Sequence, residues 1–176
     1  MPKETRFEQI ILPYLGDAYN LARWMTRNPE DAKDIVQEAM IRAFRFFSGF
    51  HDGSAKAWLL TIVRNTGYTW LRQHRSHDID TVLQEEALEI PEQSPGPEAQ
   101  MVQSANQELL RKALERIPLE FREIVILRDL EGFSYKEMVE ITGLPIGTVM
   151  SRLSRARSRL QREVMDRGGK EVEREL

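Results

Sequence analysis

Near the carboxyl end, Met150, Ser151, Ser154 and Arg155 recur at a spacing that gathers them on one face of a helix, with Arg152, Arg157 and Arg159 flanking that face. A helix in the major groove of DNA can set about four such side chains on base edges while flanking arginines hold phosphates. Small Ser151 and Ser154 let the backbone approach closely, and Arg155 can pair bidentately with guanine. The bland alternative is an ordinary helical hairpin. Other chemistries lack their parts. The chain contains no cysteine, which excludes disulfides, thiolate metal sites and a cysteine nucleophile, and His51, His74 and His77 are too few and scattered for a metal cage. Ser, His and Asp residues form no triad-like pattern, and Glu85-Glu86 reads as a charge run. Neither catalysis nor a cofactor, metal or small-molecule substrate is expected.

The elements that must position this face are helical. Ser134-Tyr135-Lys136-Glu137 has the Ser-x-x-Glu form of a capping box ahead of Met138 and Ile141, and Gly143-Leu144-Pro145 breaks that helix before the segment from Ile146 to Arg162. The result is helix, tight glycine turn, helix. Ile146, Val149, Leu153, Ala156 and Leu160 are expected to line its core side. Upstream, Leu109, Leu110, Ala113, Leu114 and Ile117 mark one helix, and Pro118 starts another carrying Phe121, Ile124, Val125 and Leu127.

In the amino-terminal half, Phe7 to Met25 show helical periodicity, with Pro13 separating two pieces. Asn28-Pro29-Glu30-Asp31 reads as a helix start, with Asn as cap, proline at the first position and acids in the first turn. That helix should run to about Phe47 with Ile35, Val36, Ala39, Met40, Ala43 and Phe44 on its apolar face. After Gly49 and Asp52-Gly53, Ser54 can cap a third helix carrying Trp58, Leu59, Ile62, Val63 and Leu71.

Charge is segregated along the 176 residues. Residues 76 to 110 hold eight acids and no Lys or Arg, and without those acids a chain of net charge -3 would carry +5. Residues 53 to 77 and 144 to 162 are basic islands free of acids, and a polyanion partner needs local positive potential rather than a high overall pI. Ile90-Pro91-Glu92-Gln93-Ser94-Pro95-Gly96-Pro97-Glu98 cannot hold a continuous helix. The expected fold class is therefore all-α: two small helical domains, residues 1–77 and 105–165, joined by a flexible acidic linker, 78–104, with a charged tail at 166–176. No apolar run approaches the roughly 20 residues of a membrane span and the amino end lacks an apolar signal region, so no membrane insertion and a cytoplasmic address are expected.

Three stretches together carry a family resemblance. They are Asn28-Pro29-Glu30-Asp31-Ala32-Lys33-Asp34-Ile35-Val36-Gln37-Glu38-Ala39; Lys56-Ala57-Trp58-Leu59-Leu60-Thr61-Ile62-Val63-Arg64-Asn65-Thr66; and Leu127 to Glu137 followed by Leu144 to Arg157. In this order they resemble regions 2.1 to 2.2, 2.3 to 2.4 and 4 of the extracytoplasmic-function group of sigma-70 family RNA polymerase sigma factors. The resemblance spans roughly residues 7 to 162. It implies a non-enzymatic subunit that binds core RNA polymerase at the beta-prime clamp helices and the beta flap, directs promoter DNA recognition and melting, and is restrained by an anti-sigma factor. Within it, Asp34, Gln37, Glu38 and Ile41 match the polymerase-docking helix, and they share one helical stripe. Phe50, Lys56, Arg64, Asn65, Tyr68, Thr69 and Arg72 match minus-10 positions; Asn65, Tyr68, Thr69 and Arg72 share a face offering base-edge hydrogen bonds, stacking and phosphate contact. Thr148, Met150, Ser151, Ser154 and Arg155 match the minus-35 reading positions, with Arg157 a phosphate contact. Two other readings compete: a sigma mimic that binds a regulator without touching DNA, and a conventional helix-turn-helix regulator.

Overall fold

The computed structural model describes the backbone of residues 1–74 and 97–174 and the side chains of 1–74 and 105–168. The described residues are helical, with no strand among them. Helix α1 (Lys3–Ile11) is followed by a 3₁₀ turn, Leu12–Tyr14, and then by α2 (Leu15–Thr26), so Pro13 does separate two helical pieces. Arg27 ends α2 in the left-handed region, φ 57°. Helix α3 (Pro29–Phe46) starts as the residue types require: Asn28 Oδ1 accepts from the main-chain N–H groups of Glu30 (2.9 Å) and Asp31 (3.1 Å). A 3₁₀ turn, Phe47–Gly49, and a loop lead to α4 (Ala55–His74), where Ser54 Oγ accepts from the Ala57 N–H at 3.1 Å.

Helices α2, α3 and α4 pack mutually, burying Ala18, Leu21, Ala22, Ile35, Ala39, Leu59, Leu60 and Val63. Burying such side chains contributes roughly 1.5–3 kcal/mol for each large aliphatic one. Alanines recur because three helix backbones must approach closely, and Gly67 on α4 leaves room for the Met25 side chain. A Cβ there would stand 2.7 Å from Cε and 2.9 Å from Sδ of Met25. An aromatic group closes one end: Phe7 meets Phe44 and Phe47 edge-on, both at 5.2 Å, and Phe50 lies 5.2 Å from Trp58.

The second helical group holds α5 (Pro97–Arg116), α6 (Leu119–Val125), a π turn (Ile126–Leu130), α7 (Tyr135–Thr142) and α8 (Ile146–Arg174). Both halves of the capping box at Ser134 and Glu137 form, and Gly143 takes the left-handed C-cap, φ 70°, that only glycine adopts without strain. The periodicity read α6 as one helix through Leu127; the chain instead widens into the π turn. Helix α5 begins at Pro97, within the segment expected as linker, and α8 continues through the expected tail to Arg174. Most of the linker, and with it its course, lies outside the described residues. Ile146 differs from its expected core role and is 55% exposed. It opens α8, and side chains tilt toward a helix amino end, so Ile146 overhangs the packed face that Val149, Leu153 and Ala156 occupy.

The two groups are in contact. Helix α4 packs along α7 and α2 against α6, and the buried apolar residues of both form one cluster. Arg122 on α6 crosses this junction, donating to the Trp24 carbonyl of α2 at 2.7 Å and to the Leu114, Ile117 and Glu115 carbonyls at 2.8, 3.1 and 3.3 Å. These carbonyls close the ends of α2 and α5, where main-chain acceptors lack intrahelical partners and the helix dipole is negative. One guanidinium therefore satisfies two helix ends. Burial, joined by repulsion from Arg27, pulls its pKa down to about 10.

Candidate nucleic-acid interface

Helix α8 carries the first candidate face. Met150, Ser151, Ser154 and Arg155 are exposed and Thr148 is half-buried, while Val149, Leu153 and Ala156 on the other side are buried against α6 and α5. The capping box closes the start of α7 and Gly143 its end, and the turn after Gly143 sets the angle at which α8 leaves α7. Arg155 is unpaired among the described residues. Arg157 is not: its Nε donates to Asp129 Oδ2 at 3.0 Å, with a second bond from Nη2 to Oδ1. The phosphate contact expected of Arg157 is thus occupied by a carboxylate of the π turn. Arg159 lies over the Phe121 ring at 4.8 Å.

Helix α4 carries the second. Asn65 and Arg72 are exposed and Tyr68 and Thr69 half-buried, with Arg72 Nη2 donating to Thr69 Oγ1 at 3.4 Å, so the structure does gather these side chains on one helix. Trp70 stacks on His74 with centroids 3.8 Å apart, and His74 Nδ1 lies 2.7 Å from the Trp70 carbonyl. Three expected members behave differently. Phe50 is only 8% exposed, stacked on Phe47 and tilted against Trp58, and so does core work. Lys56 pairs with Glu131 at 2.8 Å and Asp17 at 3.4 Å and lies 5.3 Å from the Phe133 ring. Arg64 makes a fork to Glu123, Nε to Oε2 at 2.9 Å and Nη2 to Oε1 at 3.0 Å.

The electrostatics follow from this packing. Burial opposes the charge on Arg64, but Glu123 more than offsets it, and the guanidinium pKa rises above its ordinary value. Lys56 is raised likewise, burial being outweighed by Glu131 and Asp17. Burial, then the Glu123 carboxylate, pushes the Tyr68 phenol up. The Glu123 side chain is 1% exposed.

A third face lies on α3. Asp34, Gln37 and Glu38 are exposed and Ile41 is 55% exposed, an apolar side chain left in water beside two carboxylates and an amide. Glu38 pairs with Arg42, and a shallow groove beside them is lined by Ile41, Arg45 and Phe46. Sequence reading missed Phe46, which is 61% exposed; the available signal was an aromatic residue one turn beyond Arg42 and off the apolar stripe. It also missed Arg122 and Glu123. Their signal was a pair of charges interrupting the apolar run from Phe121 to Leu127.

Comparison with known proteins decides what these faces belong to. The Sigma-70 region 2 family model matches residues 10–77, and the Sigma-70, region 4 model matches residues 107–160. The ECF RNA polymerase sigma-E factor of Escherichia coli K12 is 34% identical over 141 residues, covering 76% of this chain and 74% of that protein. The chain belongs to the extracytoplasmic-function group of the sigma-70 family. Sigma factor SigE of Mycolicibacterium smegmatis is 32% identical over 155 residues, 88% of this chain but 60% of the relative. Among solved structures, the sigma factor RpoE from Bartonella quintana, in complex with the anti-sigma factor NepR, is similar at a TM-score of 0.73 and 34% identity, covering 91% of this chain and 97% of that one. CnrH, in complex with the cytosolic domain of CnrY, shares the fold at a TM-score of 0.62 and 21% identity. In this sigma factor, α3 and α4 lie within the region 2 match and α7 and the exposed candidate face of α8 within region 4. No helix of the described residues is long and apolar enough to cross a membrane.

Proposed function

We propose that this chain is a promoter-specificity subunit that joins core RNA polymerase, places it on DNA and helps to part the strands. Asp34, Gln37, Glu38 and Ile41 would dock on the clamp helices of the beta-prime subunit, and the second domain on the beta flap. Asn65, Tyr68, Thr69 and Arg72, with Lys56 and Arg64, take the minus-10 strand; Thr148, Met150, Ser151, Ser154 and Arg155 take the minus-35 element. Residues 1–77 and 105–165 are the two working domains, 78–104 the connection and 166–176 the tail. A relative seen with NepR supports restraint by an anti-sigma protein.

The observation that carries this reading is the pair of polar side chains Asn65 and Arg155, each exposed on its own helix, in a chain that matches both sigma regions in order. Melting needs a group that gains its partner only when a base leaves the stack. A captured base offsets the unstacking cost of a few kcal/mol, and an asparagine amide supplies both donor and acceptor for its edge.

The test is in vitro transcription with core polymerase. Asn65→Ala should keep core binding and minus-35 recognition while lowering permanganate-reactive thymine near the start site, and a pre-melted bubble template should restore much of the loss. Full activity of Asn65→Ala on duplex promoters would remove Asn65 from the melting step.

A further inference from the structure

Met150 is 50% exposed and Ile146, one turn before it, is 55% exposed, so two apolar side chains stand side by side on the outer surface of α8. Single apolar residues on a surface are ordinary, but a pair on adjacent turns makes a patch. At 3.6 residues per turn Arg155 stands about 140° around the helix from Met150, on the opposite edge of the exposed face and beside Arg152 and Arg159. Between the two edges run Gly147, Ser151 and Ser154, all small and exposed. A Cβ added to Gly147 would meet nothing within 4 Å. The face therefore has a floor of small residues, a cationic wall and an apolar wall. Arg157 falls within about 20° of Met150, but both carboxylate oxygens of Asp129 hold its guanidinium, so the charge nearest the apolar wall is already balanced. We propose that Met150 is a specificity residue that reads the C5-methyl group of a thymine in the minus-35 element, with Ile146 extending the apolar contact. The inference rests on the minus-35 reading of α8 given above and names what one wall of that face recognises.

The chemistry of the two partners selects this pairing. In the major groove the four bases show hydrogen-bonding groups, and the thymine methyl is the one apolar feature among them. A thioether has no donor and only a weak acceptor, so Met150 has nothing to offer the polar edges. Adenine, guanine or cytosine at the same step would set a polar group against the apolar wall, where it loses water and gains no partner. Thymine instead removes two apolar surfaces from water at once. An unbranched side chain with a polarizable sulfur can settle on a methyl group without one fixed rotamer. Side chains on a helix lean toward its amino end, which carries Met150 toward the first turn, the part of a recognition helix that meets base edges. The cationic wall suits guanine, through Arg155, and so the two walls discriminate by unlike chemistries.

The test uses holoenzyme reconstituted from the full chain and core polymerase, on a duplex promoter that it transcribes. Each thymine of the minus-35 element, on either strand, is replaced in turn by deoxyuridine, which deletes the methyl group and keeps every hydrogen-bonding group. Competition binding should show at least one position at which deoxyuridine weakens binding about fourfold, the value for one buried methyl contact. Met150→Ala should bind the thymine and deoxyuridine promoters alike, and so should Met150→Gln, which keeps the length of the side chain but makes it polar. Met150→Leu keeps an apolar side chain and should retain the difference. A deoxyuridine penalty that is absent everywhere, or that survives unchanged in Met150→Ala, overturns the methyl contact. The minus-35 reading of α8 stands in that case if scrambling the element still weakens binding and Arg155→Ala removes that difference. If the scrambled element binds as well as the original, the minus-35 reading fails and the methyl contact fails with it.

Discussion

The Arg122 guanidinium donates to the main-chain carbonyl of Trp24, 98 residues earlier in the chain, at 2.7 Å. Arg27, the residue that ends α2, answers in the opposite direction, its Nη1 donating to the Glu115 carbonyl of α5 at 3.1 Å. Each domain thus completes a helix end of the other. Carbonyl ends need donors rather than apolar cover, which is why two arginines, and not leucines, stand where the domains meet.

Arg122→Leu should therefore cost more than its loss of side-chain contacts implies. It would leave several buried carbonyls unsatisfied, and hydrogen bonds to a charged donor contribute about 1.5–3 kcal/mol each. A net loss of roughly 3 kcal/mol in urea unfolding is expected. Arg122→Lys should recover only part of it, since a point ammonium cannot reproduce a planar fork. A variant as stable as the parent would show that water replaces the guanidinium.

Docking should depend on the acidic stripe of α3. Reversing Asp34 and Glu38 to Lys together should weaken core polymerase binding by about tenfold and leave helical content unchanged, because both side chains are exposed. Phe46→Ala, removing the aromatic side chain beside the same groove, should weaken binding in the same assay. Unchanged affinity in the charge-reversed protein would move the docking site elsewhere.

On α8 the structure separates Arg155, unpaired among the described residues, from Arg157, tethered to Asp129. Arg155→Ala should lose about 1–3 kcal/mol on the preferred minus-35 element and relax discrimination there. Asp129→Ala frees Arg157 from its carboxylate and should tighten binding to cognate and scrambled elements alike, steepening the logarithmic salt slope by about 1. Competition binding across a salt series distinguishes the two. Equal effects of Arg155→Ala on both elements would sink its reading role.

What could be read from sequence was local. Asn28 before Pro29, Ser134 three residues before Glu137 and Gly143 before Leu144-Pro145 each announce a helix boundary through bonds that span a few residues, and all three form. Helical periodicity puts Asp34, Gln37, Glu38 and Ile41 on one stripe, although it was the family resemblance that singled those four out. The π turn was hidden, since nothing in Ile126-Leu127-Arg128-Asp129-Leu130 sets it apart from an α-helical run. The fate of Lys56, Arg64 and Arg157 was hidden for a deeper reason: an arginine bound to phosphate and one bound to a carboxylate far along the chain have the same sequence. Phe50 illustrates the converse. The resemblance matched it to a minus-10 position, whereas its side chain is buried against Phe47 and Trp58.

The distance in chain between Trp24 and Arg122 also sets an order of events at birth. Synthesis proceeds at about 5–20 residues per second, so the arginine that finishes α2 leaves the ribosome roughly 5–20 s after the tryptophan does. During that interval the amino-terminal helices must hold together with the end of α2 hydrated, and for its later part Arg64 stands without Glu123 while Lys56 has Asp17 but not Glu131. The nascent chain is, for those seconds, a different molecule from the finished one: the Arg64 guanidinium has yet to meet its carboxylate and is open to whatever polyanion is nearest.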